Sequence, residues 1–80
     1  MTRDQIREVV LRTLARFAPE AEPTRTPPDA NLREELDLDS MDFLNFVIAL
    51  HAELKVEIPE ADYPKLVTLA GCIDYLASRA

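Results

Sequence analysis

One serine stands where an acidic, polar segment gives way to the most apolar stretch of the chain. Ser40 follows Asp37-Leu38-Asp39 and precedes Met41-Asp42. The first turn of a helix offers unpaired backbone N–H groups and the positive end of the helix dipole, so a negatively charged group on the Ser40 hydroxyl would be stabilised there. In the alternative interpretation Asp39 and Ser40 only cap the helix. Ser40 is therefore a candidate attachment point for an anionic group.

The remaining reactive residue types do not form a catalytic site or a metal site. His51 is the only histidine, and a helix starting at Ser40 would carry it about 16 Å along the axis, too far for a Ser-His pair. No cysteine or second histidine stands at metal-ligand spacing from His51. We therefore expect His51 to be a surface residue and the protein not to be an enzyme.

Four acids around Ser40 raise the question of calcium. A twelve-residue calcium loop needs glycine at position six and glutamate at position twelve. These places hold Asp42 and Ile48 if the loop begins at Asp37, or Ser40 and Phe46 if it begins at Glu35. The pattern supports only weak, nonspecific cation binding.

Composition predicts one small helical domain over residues 1–80. The chain has 48% hydrophobic residues, a single glycine and no tryptophan, which suits helices better than a sheet rich in turns. Cys72 is the only cysteine, so an intramolecular disulfide is excluded. No apolar run approaches the ~20 residues that span a bilayer. With no signal segment at the amino terminus, we expect a cytoplasmic monomer that does not insert into membranes.

Charge is concentrated in the part of the chain that contains Ser40. The net charge is −6: residues 1–33 hold six arginines against five acids (+1), and residues 34–80 hold three bases against ten acids (−7). No basic stripe suitable for nucleic acid is present. A partner with a basic patch would be steered toward the acidic part.

Hydrophobic spacing predicts the first helix over about residues 3–17. Thr2 and Gln5 form a capping-box pattern, and apolar residues then recur on one face. The off-face arginines indicate a solvated surface, with a basic docking surface as the alternative: Arg3, Arg7, Arg12 and Arg16. Four prolines forbid regular structure from residue 18 to about 31, and Leu32 and Leu36 are expected to pin the end of this connection onto the core.

The second helix is predicted from Ser40 to about Leu54 and has two apolar faces. One face suffices for the core: Phe43, Phe46, Val47, Leu50 and Leu54. A separate strip of Met41, Leu44 and Ile48 lies on the other side, beside Asn45, His51 and Ala52. Either the helix is sandwiched between neighbours or this strip binds a partner.

Two further helices complete a small irregular four-helix bundle. Glu60 to Tyr63 allow about one turn before Pro64 ends it. Thr68 is expected to cap a last helix to about Ser78, with Cys72 as a small buried hydrophobe.

The residues now resemble a known family. Leu36-Asp37-Leu38-Asp39-Ser40-Met41-Asp42-Phe43-Leu44, the Ile58-Pro59-Glu60 segment and the closing helix with Ile73-Asp74-Tyr75-Leu76 are similar, at matching spacing, to acyl carrier proteins. The resemblance implies that Ser40 carries 4'-phosphopantetheine through a phosphodiester and that the arm's thiol holds acyl groups as thioesters. It also implies that Asp39 helps a phosphopantetheinyl transferase to recognise the serine. The implied partners are this transferase and acyl-transferring, adenylating or condensing enzymes.

The family further implies a partner surface and an acyl pocket. We expect the partner surface to comprise Asp37, Met41, Asp42, Leu44, Asn45 and Ile48. We expect the pocket to be lined by Phe43, Val47, Leu50 and Ile58.

Three departures from the family pattern suggest a specialised member. Asp37 stands where the family usually has glycine. If the loop requires a positive φ there, aspartate in place of glycine would strain it by ~1 kcal/mol. Asn45, His51 and Ala52 replace glutamates typical of carriers in bacterial fatty acid synthesis. Phe43 replaces a smaller residue and is predicted to fill part of the pocket, so that the cargo is short, polar or left outside.

These departures favour a dedicated lipid or secondary-metabolite pathway. A helical interaction module of the same fold that never receives the arm is the main alternative. Regulatory phosphorylation of Ser40 is a third hypothesis.

Overall fold

The computed structural model describes residues 1–79 and consists of helices joined by short irregular segments. The α-helices are α1 (Arg3–Phe17), α2 (Leu32–Glu35), α3 (Ser40–Leu54) and α4 (Leu69–Ala77). Two 3₁₀ segments, Pro23–Arg25 and Glu60–Leu66, lie between them. The prediction of a small all-α bundle is confirmed.

α1 packs its apolar face against both α3 and α4. The predicted capping box is present: the Gln5 N–H donates to Thr2 Oγ1 over 3.1 Å, and the Thr2 N–H donates to Gln5 Oε1 over 2.9 Å. All four arginines of the predicted solvated face are exposed. Two of them form surface ion pairs with other helices, Arg3 with Asp74 and Arg12 with Glu53.

The connection between α1 and α3 contains more structure than its prolines suggested. The prediction of no regular structure up to about residue 31 is wrong at Pro23–Arg25, because a 3₁₀ turn needs only local bonds and accepts proline at its first position. The short helix α2 was also missed, although Asn31 caps it through its side chain. Leu32 and Leu36 are buried, as predicted.

α3 presents the predicted core face, and Phe46 and Leu50 are fully buried. The helix ends at Lys55, which adopts a left-handed conformation with φ 55°. This conformation terminates the helix while the Lys55 N–H still donates to the His51 carbonyl oxygen.

The segment before α4 is longer than predicted. Its 3₁₀ turns run to Leu66 and pass through Pro64, because the short-range bonds of this conformation do not require an N–H from that residue. Thr68 caps α4 as predicted, accepting from the Gly71 N–H over 2.9 Å. Gly71 is needed here, since a Cβ atom would overlap the Lys65 carbonyl oxygen.

Cys72 lies in the core, as predicted for a small hydrophobe. Burial raises the pKa of its thiol to about 12, so the thiolate is disfavoured at neutral pH. Within residues 1–79, no helix combines the length and apolar character needed to cross a bilayer.

Candidate functional site

Asp39 and Asp42 fix the start of α3 around Ser40. Asp39 Oδ1 accepts from the Asp42 N–H over 2.7 Å, and Asp42 Oδ2 accepts from the Asp39 N–H over 3.4 Å. The reciprocal bonds form a capping box. Asp39 is therefore the helix cap, and Ser40 is the first helical residue with its side chain exposed.

The helix start leaves hydrogen-bonding capacity beside the serine. The Asp39 cap satisfies the N–H groups of Asp42 and Phe43, whereas those of Ser40 and Met41 have no acceptor among residues 1–79. Unpaired N–H groups and the dipole of a fifteen-residue helix favour an anion at this end. The serine hydroxyl thus stands where the start of the helix favours an anionic group.

The loop before Ser40 is fixed by two buried leucines that flank the exposed Asp37. Leu36 and Leu38 are buried, and the Leu38 N–H donates to the Arg33 carbonyl oxygen over 2.8 Å. Asp37 adopts φ 53° between them. This left-handed conformation favours glycine, which the family usually has there, and Asp tolerates it better than most residues.

Arg33 contacts the serine and was missed by the sequence reasoning. Its Nη2 donates to Ser40 Oγ over 3.1 Å. Seven residues separate the pair, and only the fold-back of α2 and the following loop brings them together. The cap at Asn31 and the apolar pair Leu32 and Leu36 were the available signals for this short helix.

An apolar groove of about 370 Å³ opens beside Ser40, with the serine and Arg33 at its polar edge. The other walls come from α3 and from the segment leading to α4. They are formed by Phe43, Leu44, Tyr63, Pro64 and Val67. An arm with an anionic first group followed by apolar carbons fits this donor set, because guanidinium and helix N–H groups bind the anion and the groove contacts the carbons.

The four predicted acyl-pocket residues are distributed over three places. Phe43 is buried in the wall of the groove beside Ser40, with its ring centroid 6.1 Å from that of Phe46. Val47 and Ile58 line a separate depression of about 160 Å³ together with Ile48, His51, Glu57 and Tyr63. Leu50 lies in the core and lines neither depression.

The second apolar strip of α3 is uncovered in the described part of the chain. The exposed fractions of Met41, Leu44 and Ile48 are 62%, 37% and 52%. Asn45 beside them is also exposed, whereas Asp42 is half-buried in the capping box. Of the two interpretations of this strip, the structure excludes the sandwiched helix.

His51 is exposed on the last turn of α3, and its ring lies against the backbone. Its Nδ1 is 2.7 Å from the Val56 carbonyl oxygen, so the ring braces the chain after the helix. Residues 1–79 contain no group of three or more His, Cys, Asp or Glu side chains arranged to hold a metal ion.

Comparisons with known proteins agree with this geometry. Residues 4–76 match the model of a family described as the phosphopantetheine attachment site. The chain is 30% identical to an acyl carrier protein of Campylobacter curvus over 91% of this chain and 88% of the relative. It is also 30% identical to the mitochondrial acyl carrier protein 2 of Arabidopsis thaliana, over 98% of this chain but 61% of that longer protein.

A solved structure of the acyl carrier protein from Enterococcus faecalis has the same fold. Its TM-score to this chain is 0.77 at 27% sequence identity, and each chain is covered completely. The chain belongs to the phosphopantetheine attachment family, as an acyl carrier protein. The group associated with this family is 4'-phosphopantetheine, and members act as carriers and not as enzymes.

Proposed function

We propose that Ser40 carries 4'-phosphopantetheine as a phosphodiester and that the thiol of the arm holds acyl-type groups as thioesters for separate enzymes. The observation that carries this proposal is the position of Ser40. Its exposed hydroxyl stands at the start of α3, beside unpaired N–H groups and within reach of a guanidinium. A phosphate attached there is stabilised by the helix dipole and remains accessible to partner enzymes.

Asp39 contributes in two ways in this proposal. Its side chain caps α3, which fixes the backbone on which Ser40 is presented. Its exposed position next to the serine also makes it available to a phosphopantetheinyl transferase. The transferase is the partner that every holo carrier of this kind needs.

The outer face of α3 supports partners that differ from those of the general fatty acid carriers. Asn45 and Ala52 are uncharged and exposed, and the carboxylate of Glu53 is paired with Arg12 over 2.6 Å. The exposed strip of Met41, Leu44 and Ile48 offers apolar contact in place of free carboxylates. We therefore place the protein in a dedicated lipid or secondary-metabolite pathway, with acyl-transferring, adenylating or condensing enzymes that bind this strip.

The cargo in this proposal is short, polar or held outside the bundle. Phe43 occupies the wall of the groove beside Ser40, and Leu50 is packed into the core. The 160 Å³ depression at Val47 and Ile58 is small for a long alkyl chain. Both features support limited shelter for an acyl group.

The mass of the intact protein tests the attachment. The wild-type chain incubated with coenzyme A and a broad-range phosphopantetheinyl transferase should gain one phosphopantetheine group. Ser40→Ala should gain none. Ser78→Ala is the matched control and should gain the group as the wild type does. Ser78 is the only other serine, and it lies at the C-terminal end of α4.

Two results would contradict the proposal. One is the absence of added mass on the wild-type chain. The other is added mass on Ser40→Ala. The first result would favour an interaction module that is not pantetheinylated, with the uncovered strip of α3 as its functional surface. The second would assign the arm to a residue other than Ser40.

A further inference from the structure

We infer that Arg33 binds the phosphodiester of the holo-protein and holds the first part of the arm over the apolar groove. This inference rests on the proposed attachment at Ser40. Arg33 would thus orient the arm, whereas Ser40 bears it.

The first step is the contact between Arg33 and Ser40. Arg33 Nη2 lies 3.1 Å from Ser40 Oγ, the atom that becomes the ester oxygen of the phosphodiester. The two non-bridging oxygens are then bonded to the adjacent phosphorus atom. A guanidinium fork can bind them through two parallel N–H groups after a small movement of its side chain.

The second step is that the charge of Arg33 is available. No carboxylate of residues 1–79 lies within 4.0 Å of its guanidinium nitrogens, although Asp37, Asp39 and Asp42 belong to the same loop and helix start. A phosphodiester at Ser40 would be repelled by these acids. Arg33 supplies an opposite charge at the place where the new negative charge appears.

The third step is that the backbone of Arg33 is fixed. The Asn31 side chain accepts from the Arg33 N–H over 3.0 Å, and the Arg33 carbonyl oxygen accepts from the Leu38 N–H over 2.8 Å. Leu32 is fully buried, and its N–H donates to the Val67 carbonyl oxygen over 2.8 Å. The backbone that carries Arg33 is therefore joined to the segment that forms the far wall of the groove.

The fourth step is the match between the groove and the arm. Next to its phosphate, pantetheine carries a carbon with two methyl groups. With the phosphate bound between Ser40 and Arg33, these methyl groups would be next to the groove, whose apolar walls include Leu44, Pro64 and Val67. Burial of methyl groups there and the ion pair both favour the same direction of the arm.

The test compares holo-proteins by ³¹P and ¹H NMR. Wild type, Arg33→Gln, Arg33→Lys and Arg7→Gln are loaded with phosphopantetheine, and complete loading is verified by mass. Arg7→Gln is the matched control, because it removes the same charge from an exposed position on α1. Each spectrum is recorded at low salt and at 1 M salt, where the Debye length falls to about 3 Å.

The inference predicts that wild type and Arg7→Gln share one ³¹P shift and that Arg33→Gln has another. Raising the salt should move the wild-type shift toward that of Arg33→Gln. Nuclear Overhauser effects from the arm's methyl groups to Leu44 and Val67 should weaken several-fold in Arg33→Gln and recover in part in Arg33→Lys. A purely structural role of Arg33 would not produce this salt dependence or this rescue.

Identical ³¹P shifts and identical Overhauser effects in all four loaded proteins would overturn the inference while leaving attachment at Ser40 intact. Failure of Arg33→Gln to load under conditions that load Arg33→Lys would also overturn it, because Arg33 would then act in transferase recognition. If the wild-type chain itself gains no mass, the proposed function fails, and this result is read before any spectrum.

Discussion

Ser40 is defined by what surrounds it. Asp39 sets the first turn of α3, two backbone N–H groups of this turn have no acceptor among residues 1–79, and Arg33 reaches the hydroxyl from the preceding helix. Positive partial charges and one full positive charge thus converge on the serine within an acidic part of the chain. A negatively charged substituent on the Ser40 hydroxyl would therefore be close to these positive charges.

Asp37 is the residue with a strained backbone conformation in the loop that leads to Ser40. A side chain with a Cβ atom is disfavoured at φ 53°, and Asp reduces the cost through its tolerance of this region. We expect Asp37→Gly to have a free energy of unfolding about 1 kcal/mol higher than Asp37→Ala. Urea denaturation of the apo-proteins measures the difference, and equal values would show that the loop is not strained at this residue.

The sequence could predict the residues whose roles depend on local chemistry. The cap at Asp39 and the dipole position of Asp42 follow from neighbours along the chain, whereas the positive φ at Asp37 was expected from the resemblance to acyl carrier proteins. Arg33 could not be predicted, since its contact with Ser40 depends on how α2 folds back. The positive φ of Lys55 likewise depends on how α3 ends.

α3 packs one apolar face into the core and exposes the other to solvent. The buried face contains Phe46, whereas the strip of Met41, Leu44 and Ile48 is exposed. The exposed strip lies on the same helix as Ser40, and exposed apolar surface favours association. We propose that the strip binds a partner.

The strip can be tested with the transferase as the partner. Leu44→Asp should raise the KM of the transferase for the apo-carrier roughly tenfold, since losing one apolar contact is worth about 1.4 kcal/mol or more. Ala52→Asp is the control, because it adds the same charge to an exposed residue of the same helix outside the strip. Urea denaturation should show that both variants remain folded.

Equal KM values for Leu44→Asp and Ala52→Asp would exclude the strip from transferase binding. A tenfold rise in both variants would assign the effect to charge alone. Only the difference between the two variants supports apolar recognition.

Helices with a strong period were predictable, and short ones were not. α1, α3 and α4 have capping residues and long apolar stripes, so their starts agree with the sequence prediction. α2 has four residues, and the two 3₁₀ segments have three and seven residues and each contains a proline. Such elements have too few residues to show a period, and proline was overestimated as a breaker of 3₁₀ turns.

A polar cluster lies between the 3₁₀ segment Glu60–Leu66 and α4. Tyr75 Oη donates to Asp62 Oδ2 over 2.7 Å, and Lys65 Nζ lies 3.3 Å from Asp62 Oδ1. The Arg79 guanidinium stacks 3.8 Å from the Tyr75 ring centroid. The bond between Tyr75 and Asp62 joins the 3₁₀ segment Glu60–Leu66 to α4, and residues of this segment line the groove beside Ser40.

Asp62 makes the stability of the bundle depend on pH. The hydrogen bond from Tyr75, with help from Lys65, lowers the pKa of Asp62 from its ordinary value of 3.8. Its contribution to the stability is therefore present above about pH 4 and is lost as the pH falls through the lower folded value. Asp62→Asn should flatten the pH dependence of the urea midpoint below pH 4.

Asp29→Asn is the control for this prediction, because Asp29 is exposed in the loop between α1 and α2. Its urea midpoints should follow those of the wild type between pH 2 and about pH 4. The same slope in Asp62→Asn and in the wild type would show that Asp62 is not linked to folding.

Peptide mapping of the modified protein shows which residue carries the arm. After reduction and digestion with trypsin, Ser40 lies in the peptide 34–55, whereas Ser78 and Cys72 lie together in the peptide 66–79. We predict that the phosphopantetheine mass appears on peptide 34–55 and that fragmentation locates it on Ser40. Its appearance on peptide 66–79, or on neither peptide, would contradict the account.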